Sequence, residues 1–526
     1  MINLERGLVL RRPTWDTLSH ARSNSANWAL AGLAGVGFTG HMLVAGNYGY
    51  FRDELYYIAA GHHLALGYVD FPLLMAVLAW ALGVLAGDSL VAIHVIPALA
   101  NAALIVVTGL IARELGGRRL AQALAGGASL VCLTFLATGS IFSMDSLDEL
   151  WWTLIAYLLV RLVQRDRTQL WLWIGGVAAV GFLTKVTILY FLAALLLGLL
   201  ASPARARLRS KWACLAIGLG LVGLCPYLIW EFQTGWPTLA YWHNYVGTLV
   251  GHSPLDFALQ QAYVMNPITL PLWSGGLVWL LRGRGGPELR SLGITFLVLF
   301  AWFSLGPSKS YYLAPAYPFL FAAGAVWLAP HLSRPGRFWP TPSYLAALAV
   351  SGILLAPIGM PILPPSTYAA WYGFLGTDAG AQMEHHRGGA LPQWLADRFG
   401  WTALAKQVST ALDQLPGSER RVACVFTANY GEAAALDDLS TRAHFPPAIS
   451  GNNSYYFWGP GNCSGQVVVT VGLTPAQVSS SYRSVLKIGH TSCQFCMPAE
   501  DGLPILLARD PRRSLRSTWL GVQNLG

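Results

Sequence analysis

The sequence predicts a polytopic α-helical membrane protein, with about 11 spans plus interfacial helices and a small C-terminal α/β domain on the outer face. Of its 526 residues, 54% are hydrophobic and only 11% are charged, whereas soluble domains average about 25% charged residues. Apolar stretches recur from Trp28 to Met360, and from about Ser366 the composition is that of a soluble protein. Because no globular core could bury this much apolar surface, lipid must surround most of the chain.

This change in composition divides the chain into three parts. We expect residues 1–26 to form a cytoplasmic segment, residues 27–364 the membrane body and residues 365–526 a soluble periplasmic domain. No cleavage site of small residues follows the first apolar run, so that run is predicted to be retained as a span. In the soluble part, strand-like runs alternate with helical stretches near 431–438 and 475–481, which is typical of a small α/β domain. The strand-like runs are 422–426, 467–471 and 505–508.

Eleven apolar segments are candidate spans. They are 27–46, 89–111, 119–140, 146–163, 170–183, 186–201, 212–230, 263–281, 290–306, 311–329 and 343–360. A further apolar stretch, 72–87, decides the orientation of everything that follows it. A helix of this length is only ~24 Å long, short of the ~30 Å hydrocarbon core, so we expect it to lie in the interface or to dip back.

With 72–87 outside the membrane core, the basic residues of the body sort to one side. The connections on the side of the N-terminus contain Arg113, Arg118, Arg119, Arg161, Arg165, Arg167, Arg205, Arg207, Arg209, Lys211, Arg282, Arg284, Arg290, Arg334 and Arg337. The opposite connections hold only Arg52, Lys185 and Lys309 before the soluble domain. This positive-inside pattern predicts a bacterial inner-membrane protein whose N-terminus is inside and whose C-terminal domain is outside. It also explains the net charge of +9 without a nucleic-acid partner.

The seven cysteines divide between the two regions. Cys132, Cys214 and Cys225 lie in apolar segments and are predicted to be buried small hydrophobes. The soluble domain contains the other four, which are Cys424, Cys463, Cys493 and Cys496. Four thiols can form a zinc site or two disulfides, and only one CxxC pair is present. An external location favours disulfides, but the sequence leaves their pairing open.

Candidate catalytic residues lie in the first loop, residues 47–88. Asp53 and Glu54, preceded by Arg52, open an amphipathic helix, where acids suit the helix dipole. Isolated charges near lipid are costly and tend to be functional, so we interpret this group as functional. For Asp70, just before Pro72, two interpretations stay open: a cap of helix 72–87, or a cap that also acts in the site.

A second group of acids enters the span at 146–163. Asp145 is predicted to cap this helix, with Asp148 in its first turn, which is an ordinary structural arrangement. The predicted topology nevertheless puts these carboxylates on the same face of the membrane as Asp53.

Cations on the same face complement the acids. Lysines at span ends commonly extend to the surface only for solvation. Alternatively, Arg52, Lys185 and Lys309 converge on an anion such as a lipid phosphate, whose departure needs positive charge. The loop at 231–262 adds His252 and several aromatic residues, which suit an interface belt or a sugar platform. No metal-ligand spacing rises above chance, and a divalent metal is left open.

These residues resemble those of C-type glycosyltransferases, specifically the bacterial relatives of protein O-mannosyltransferases and lipid A aminoarabinose transferases. The resemblance extends over most of the chain through motifs in a fixed order. The motifs are Arg-Asp-Glu-Leu-Tyr-Tyr at 52–57, Gly-Tyr-Val-Asp-Phe-Pro-Leu at 67–73, Ser-Met-Asp-Ser-Leu-Asp at 143–148, Leu-Thr-Lys at 183–185, Lys-Ser-Tyr-Tyr-Leu-Ala-Pro-Ala-Tyr-Pro at 309–318, and the segments 429–436 and 449–459.

The resemblance implies a polyprenyl-phosphate sugar donor, transfer on the outer face, and Asp53 as the general base. It implies a second carboxylate motif at Asp145. The residues predicted to bind substrate are Arg52, Glu54, Asp70, Asp145, Asp148, Lys185, His252, Lys309, Tyr311 and Tyr312. A Glu-Lys-Pro-Pro run of the aminoarabinose transferases is replaced near position 70 by Asp-Phe-Pro-Leu. Its phosphate-binding lysine is missing, so the phosphate contact is expected from Lys185, Lys309 or Arg52.

The sequence thus predicts an inverting glycosyltransferase that moves a sugar from a polyprenyl-phosphate to an acceptor hydroxyl. The repeat domain of eukaryotic protein mannosyltransferases is absent from the sequence, which favours a lipid or envelope-glycan acceptor over a protein. Membrane lipids are further expected partners. Three alternatives stay open: a ligase that moves whole oligosaccharides from a lipid diphosphate, a secondary transporter, and a scaffold without enzymatic activity.

Overall fold

The computed structural model describes residues 28–87, 89–249, 251–333, 339–374, 382–383, 386–387, 389–440 and 445–526. Within these ranges the chain forms a helical body followed by a mixed α/β domain. The predicted cytoplasmic segment 1–26 and the basic residues Arg334 and Arg337 lie outside the described residues.

The body consists almost entirely of α-helices. They are α1 (Trp28–Val44), α2 (Arg52–His62), α3 (Leu74–Ala86), α4 (Leu90–Glu114), α5 (Arg119–Leu130), α6 (Leu133–Thr138), α7 (Met144–Arg165), α8 (Leu170–Thr184), α9 (Ile188–Leu200), α10 (Lys211–Thr234), α11 (Pro237–Val246), α12 (Pro254–Val264), α13 (Leu270–Leu281), α14 (Arg290–Leu305), α15 (Tyr317–Leu332), α16 (Pro340–Gly359) and α17 (Pro365–Phe374). Short 3-10 helices connect some of them, at Pro203–Arg209, Pro267–Thr269, Pro287–Leu289 and Ser310–Ala316.

Several of these helices can cross a membrane. In the described part of the chain, five segments are long and apolar enough to do so, and two sharply bent helix pairs raise the number to seven. Helices α1 and α8 coincide with predicted spans but have only 17 and 15 residues. The chain is therefore a multi-pass membrane protein, while the predicted count of eleven spans and the outer location of the soluble domain stay predictions.

Helix α3 occupies most of the stretch whose length decided the predicted orientation. It has 13 residues, which corresponds to ~20 Å and is too short to cross the hydrocarbon core. Its partner in the first loop is α2, and a Cβ atom at Gly61 would lie 2.9 Å from the Trp80 backbone nitrogen. The first loop is thus a closely packed pair of helices.

Two predicted spans are interrupted. The candidate span 119–140 contains two helices, because α5 ends at Leu130 and α6 begins at Leu133. Residues 263–281 are also broken, with a bend of 98° between α12 and the segment Pro267–Leu281. The two breaks meet, since Asn266 Nδ2 donates a hydrogen bond of 3.1 Å to the Val131 carbonyl. A backbone carbonyl freed inside a membrane protein must find such a partner within the protein.

Helix α10 lies at the periphery of the body. Only 28% of its most apolar stretch of 18 residues is buried within the protein. Cys214 and Cys225 are accordingly exposed at the protein surface, whereas Cys132 is buried as predicted. The prediction of burial was wrong for the first two, because an apolar span that faces lipid has the same composition as one that faces protein.

The C-terminal domain combines short helices with a five-stranded sheet. Its helices are α18 (Gln393–Ala396), α19 (Trp401–Asp413), α20 (Gly417–Arg420), α21 (Tyr430–Leu439), α22 (Asn453–Trp458), α23 (Pro475–Ser481) and α24 (Leu515–Thr518), with 3-10 helices at Pro498–Glu500 and Trp519–Val522. The sheet contains β3 (Ala423–Thr427), β4 (Ala448–Ser450), β5 (Val467–Val471), β6 (Tyr482–His490) and β7 (Pro504–Pro511), and a separate pair is formed by β1 (Gln382–Met383) and β2 (His386–Arg387).

The strand order is β4-β3-β5-β7-β6. Strand β3 is parallel to β4 and β5, and β7 is antiparallel to β5 and β6. The predicted small α/β domain is therefore confirmed, including its strands at β3, β5 and β7 and its helices α21 and α23. Strand β5 is buried along its whole length, as expected for a central strand of β-branched residues.

The soluble domain docks directly on the first loop and the turn before α7. Ser454 N donates a hydrogen bond to the Tyr56 hydroxyl (3.0 Å), and its Oγ accepts one from Val69 N (3.2 Å). Arg398, which is buried, donates from Nη2 to the Ser140 carbonyl at 2.6 Å. These contacts fix the domain against the end of the body where the candidate site residues lie.

Two disulfides join the four cysteines of this domain, Cys424 with Cys463 and Cys493 with Cys496. The prediction of disulfides over a zinc site is confirmed, and the pairing that the sequence left open is settled. The first bridge ties β3 to the connection before β5, and its cysteines are 39 residues apart. It therefore restricts a long loop of the unfolded domain.

Replacing both Cys424 and Cys463 by serine is expected to destabilise the soluble domain by about 2–4 kcal/mol, because the unfolded chain regains the freedom of a long loop. Thermal unfolding without reductant measures the effect. Cys214→Ser, which removes an exposed free thiol, is the control and should leave the melting temperature unchanged. An unchanged melting temperature in the double variant would mean that this bridge does not stabilise the fold.

Candidate active site

Asp53 lies where the first loop meets the soluble domain. It occupies the first turn of α2, and its Oδ1 accepts a hydrogen bond of 2.8 Å from the Tyr430 hydroxyl. Arg52 Nε is 3.7 Å from the same oxygen. Among the described residues, none donates a hydrogen bond to Asp53 Oδ2. The side chain is 32% exposed, so this second oxygen is available to a substrate proton.

Asp70 is the second carboxylate of the first loop. It does not cap α3, which begins at Leu74 without a side-chain cap. Its Oδ1 instead accepts a hydrogen bond of 3.2 Å from Tyr56. Burial of the carboxylate, followed by the charge of Asp53, raises the pKa of Asp70 to about 7. Asp70 is therefore partly protonated near neutral pH.

Tyr57 is subject to the charges of carboxylates from three segments. Tyr57 is fully buried in α2. Burial raises its pKa well above the ordinary value, and the charges of Asp53, Asp70 and Asp145 add to that rise. The Tyr57 ring also lies 5.9 Å from the ring of Phe142, three residues before Asp145. The first loop therefore packs against the turn that leads to Asp145.

Asp145 pairs with a lysine from the next connection. Ser143, not Asp145, caps α7, because the Ser143 hydroxyl accepts from Asp145 N at 3.3 Å. The predicted cap at Asp145 is wrong, and its carboxylate is instead 2.5 Å from Lys185 Nζ. Lys185 directly follows α8, so this ion pair joins the start of α7 to the end of α8.

Asp148 is turned away from this ion pair. It is 2% exposed, and its two oxygens accept hydrogen bonds from Trp152 Nε1 (2.8 Å) and Thr187 Oγ1 (2.7 Å). Because both of its oxygens are hydrogen-bonded within the protein, Asp148 fixes α7 against the start of α9. Its bond from Thr187 also holds the segment that carries Lys185.

The two lysines of the site share a group of tyrosines. Lys185 Nζ and Lys309 Nζ each lie 5.9 Å from the centre of the Tyr311 ring. Lys185 is also 5.4 Å from the Tyr312 ring, and Lys309 is 5.5 Å from the Tyr245 ring. Both ammonium groups thus lie against the same aromatic ring, and such contacts stabilise a cation.

Tyr241 connects the acids with these tyrosines. Burial is the main cause that raises its pKa well above the ordinary value. Asp53 and Asp70 contribute from one direction. Tyr245 and Tyr312 also contribute. The Tyr241 ring stacks on Tyr245 with centroids 5.6 Å apart and packs against the cluster that contains Val69, directly before Asp70.

Arg52 and His252 are placed differently from the lysines. Arg52 Nη2 is 3.8 Å from Asp397, and the guanidinium lies 5.5 Å from the Tyr430 ring centre. It therefore belongs to the acid side of the site and not to the lysine pair. His252 Nε2 is 3.1 Å from the Ser308 carbonyl, so this histidine fixes the residue directly before Lys309.

Glu54 lies inside the protein. It is fully buried, and His94 Nε2 (2.8 Å), Phe142 N (2.7 Å) and Phe51 N (2.8 Å) all donate to its carboxylate. Burial alone raises the pKa of Glu54, but His94, Arg398 and Phe51 outweigh it and lower the pKa. This arrangement holds a charged acid within the fold.

Sequence reasoning missed three residues that support the site. Tyr430 and Arg398 come from the soluble domain, and His94 sits within a span. A buried histidine in an apolar helix indicates a polar partner inside the protein, and that signal could have identified His94. Nothing local to Tyr430 or Arg398 predicts that either reaches the body.

Among the described residues, neither a cluster of metal ligands nor a cavity involves the candidate site. Within the described residues, no three or more His, Cys, Asp or Glu side chains are grouped as a metal would need. A cavity of about 730 Å³ is lined by Trp279, Arg282, Arg284, Trp327 and His331. It runs along α13 from Pro271 onward and lies against the C-terminal half of α15, and none of the predicted site residues lines it.

Comparison with known proteins identifies the fold. Residues 70–230 match the family model for dolichyl-phosphate-mannose-protein mannosyltransferase. The fold is similar to that of ArnT from Cupriavidus metallidurans bound to undecaprenyl phosphate, with a TM-score of 0.58 and 14% identity over 92% of this chain and 98% of ArnT. The predicted resemblance is confirmed. This chain has the fold of a C-type glycosyltransferase.

Two further solved structures are similar to this chain. ArnT from the same organism in the apo state gives a TM-score of 0.59 and 15% identity over 92% of this chain and 98% of that one. An oligosaccharyltransferase from Archaeoglobus fulgidus gives 0.49 and 11% identity over 81% of this chain and 64% of its own. No curated protein matches the chain by sequence. At such low identity the likeness establishes the C-type glycosyltransferase fold, and residue roles must come from geometry.

Glu54→Ala is expected to destabilise the protein by about 3–5 kcal/mol, because three buried donors lose their acceptor. Thermal unfolding of the purified protein measures the loss. Asp256→Ala, which removes an exposed carboxylate that caps α12, should lower the melting temperature far less. A Glu54→Ala protein of normal stability but poor substrate affinity would instead support the predicted role of Glu54 in binding.

Proposed function

We propose that this chain is an inverting glycosyltransferase that moves a sugar from a polyprenyl-phosphate donor to an acceptor hydroxyl at the outer face of the inner membrane. The carrying observation is a chain of contacts between a partly exposed carboxylate, Asp53, and two lysines. The loop that carries Asp53 is hydrogen-bonded to the turn before Asp145. Asp145 pairs with Lys185, which shares the Tyr311 ring with Lys309. A carboxylate can take a proton, and lysines can stabilise a departing phosphate. The likeness to ArnT bound to undecaprenyl phosphate supports the choice of donor.

Asp53 is the proposed base. Its Oδ2 removes the proton from the acceptor hydroxyl as the acceptor oxygen attacks the anomeric carbon. The new carbon–oxygen bond forms on the face opposite the phosphate, so the configuration of the sugar inverts. General-base catalysis of this kind contributes about 10²–10⁴-fold to the rate.

The neighbouring acids have different roles in this proposal. Asp70, whose pKa is raised to about 7 by burial and by Asp53, carries a proton and donates it in hydrogen bonds to sugar or acceptor oxygens. Asp53 carries the negative charge, which Arg52 and the Tyr430 hydroxyl stabilise. Pairs of carboxylates with such unlike environments commonly divide acid and base roles between them.

The phosphate leaves from the lysine side. As the bond between the anomeric carbon and the phosphate oxygen breaks, that oxygen keeps the electron pair, and Lys309 and Lys185 balance its charge. A phosphate monoester anion leaves without a proton, so no general acid is required. Asp145 positions Lys185 through its ion pair, and His252 positions the segment before Lys309. The acceptor is proposed to be a lipid or an envelope glycan.

Asp53→Asn is expected to lower transfer by about 10²–10⁴-fold, because the amide cannot accept the proton. The measurement uses washed membranes and a radiolabelled polyprenyl-phosphate sugar. Asp510→Asn, an exposed acid of β7, is the matched control and should retain full turnover. Near-normal turnover of Asp53→Asn at normal expression would rule out this assignment. Failure of the unmodified protein to transfer sugar from any such donor would favour the ligase or the transporter.

Lys309→Met is expected to lower kcat by about 10²-fold and to weaken donor binding, because developing phosphate charge loses a partner. Lys211→Met is the control, since Lys211 also lies over an aromatic ring, 5.1 Å from that of Trp212, but at the other end of the body. Equal rates for the two variants would exclude Lys309 from the phosphate contact.

A further inference from the structure

We propose that Tyr430, a residue of the soluble domain, is a positioning residue of the transfer site that holds Asp53 Oδ1 and thereby assigns proton uptake to Oδ2. The inference rests on the proposed role of Asp53 as the base. It makes the soluble domain a part of the active site, beyond any role in acceptor recognition.

Tyr430 is itself rigidly held. It is the first residue of α21, whose N-terminus is closed by a capping box between Asn429 and Glu432. Its backbone N–H donates to Asn452 Oδ1 at 3.1 Å. Its ring stacks on Tyr56 with centroids 4.4 Å apart. A side chain fixed at both its backbone and its ring holds its hydroxyl in one place.

Arg52 completes the arrangement on the same oxygen. The guanidinium lies over the Tyr430 ring at 5.5 Å, and Nε is 3.7 Å from Asp53 Oδ1. A Cβ atom at position 431 would be 2.6 Å from Arg52 Cγ, so a larger residue there would displace the arginine side chain. The phenol and the guanidinium both act on Oδ1.

The hydrogen bond between the two side chains has a fixed direction. Burial raises the pKa of Tyr430 well above its ordinary value, so the phenol keeps its proton and donates it. A donor that bonds to an ionised carboxylate favours the charged form. The hydrogen bond from Tyr430 also stops the carboxylate of Asp53 from turning.

The remaining oxygen is the one that meets the acceptor. With Oδ1 engaged, Oδ2 is the carboxylate oxygen without a hydrogen-bond donor among the described residues. An acceptor hydroxyl that bonds to Oδ2 is thereby placed in a single orientation. Fixing one such angle is a recognised source of rate enhancement, because misplaced reacting atoms slow the reaction strongly.

The test is Tyr430→Phe in the full-length protein, assayed in membranes with the labelled polyprenyl-phosphate sugar over a range of pH. We expect kcat to fall by about tenfold with an unchanged KM for the donor. The acidic limb of the pH–rate profile should move to higher pH by about one unit, because the carboxylate loses a donor that favours its ionised form. The double variant Asp53→Asn/Tyr430→Phe should be no slower than Asp53→Asn alone.

Tyr456→Phe is the matched control. It makes the same chemical change in the same domain, at a ring that stacks on Trp519, and its hydroxyl has no hydrogen bond within the described residues. It should leave the rate and the pH profile unchanged. Should Tyr430→Phe unfold, 3-fluorotyrosine at position 430 keeps the hydroxyl as a stronger donor and should move the acidic limb to lower pH.

Two results would overturn the inference: an unchanged rate in Tyr430→Phe, or a slower rate without movement of the acidic limb. A 3-fluorotyrosine protein whose acidic limb stays in place would do the same. The proposed function fails separately. If Asp53→Asn keeps normal turnover, the base assignment itself is lost, whereas an inactive Asp53→Asn beside an unaffected Tyr430→Phe refutes only the positioning role.

Discussion

The placement of the site depends on one buried carboxylate. Glu54 receives hydrogen bonds from His94 in a span and from the backbone of Phe142, three residues before Asp145. These bonds tie the first loop to α4 and to the turn that leads into α7. A buried acid whose oxygens all accept hydrogen bonds rigidifies its surroundings, whereas a partly satisfied one would be costly. Because Glu54 adjoins Asp53 in sequence, the same bonds also fix the position of Asp53.

Charge is distributed around the site so that few groups compete. Acids gather at one side around Tyr57, and lysines gather at the other around Tyr311. Asp145 and Lys185 form an ion pair across the division. Tyrosines fill the space between, and their rings can lie against lysines or sugars without adding charge. The result is a polarity across a short distance that matches a reaction in which a proton moves one way and a phosphate leaves the other way.

Much of the fold followed from the sequence, because hydropathy and strand patterning are local signals. The helices of the body, the short α3 and the sheet of the soluble domain were predicted on that basis. The breaks at Val131 and Asn266 were not, since each depends on a hydrogen bond to the other across the protein. The disulfide pairing likewise depends on the sheet order.

The same distinction applies to the candidate site. Asp53, Asp145 and the lysines were found by their position at span ends. Glu54 and Asp53 could not be told apart, although successive residues of a helix point about 100° from each other and so face different surroundings. Tyr430 escaped notice because its partner is 377 residues away in the chain. Contacts of that length leave no trace in local composition.

That distance has a consequence for how the protein comes to exist in active form. A ribosome delivers the chain from its first residue onward, and domains fold in the order in which they emerge. The first loop, with Asp53, is made early, while Arg398, Tyr430 and Ser454 arrive near the end of synthesis. A nascent or prematurely ended chain therefore inserts into the bilayer with its carboxylate unorganised. Competence for sugar transfer is acquired last, when the newest part of the polypeptide settles on the oldest.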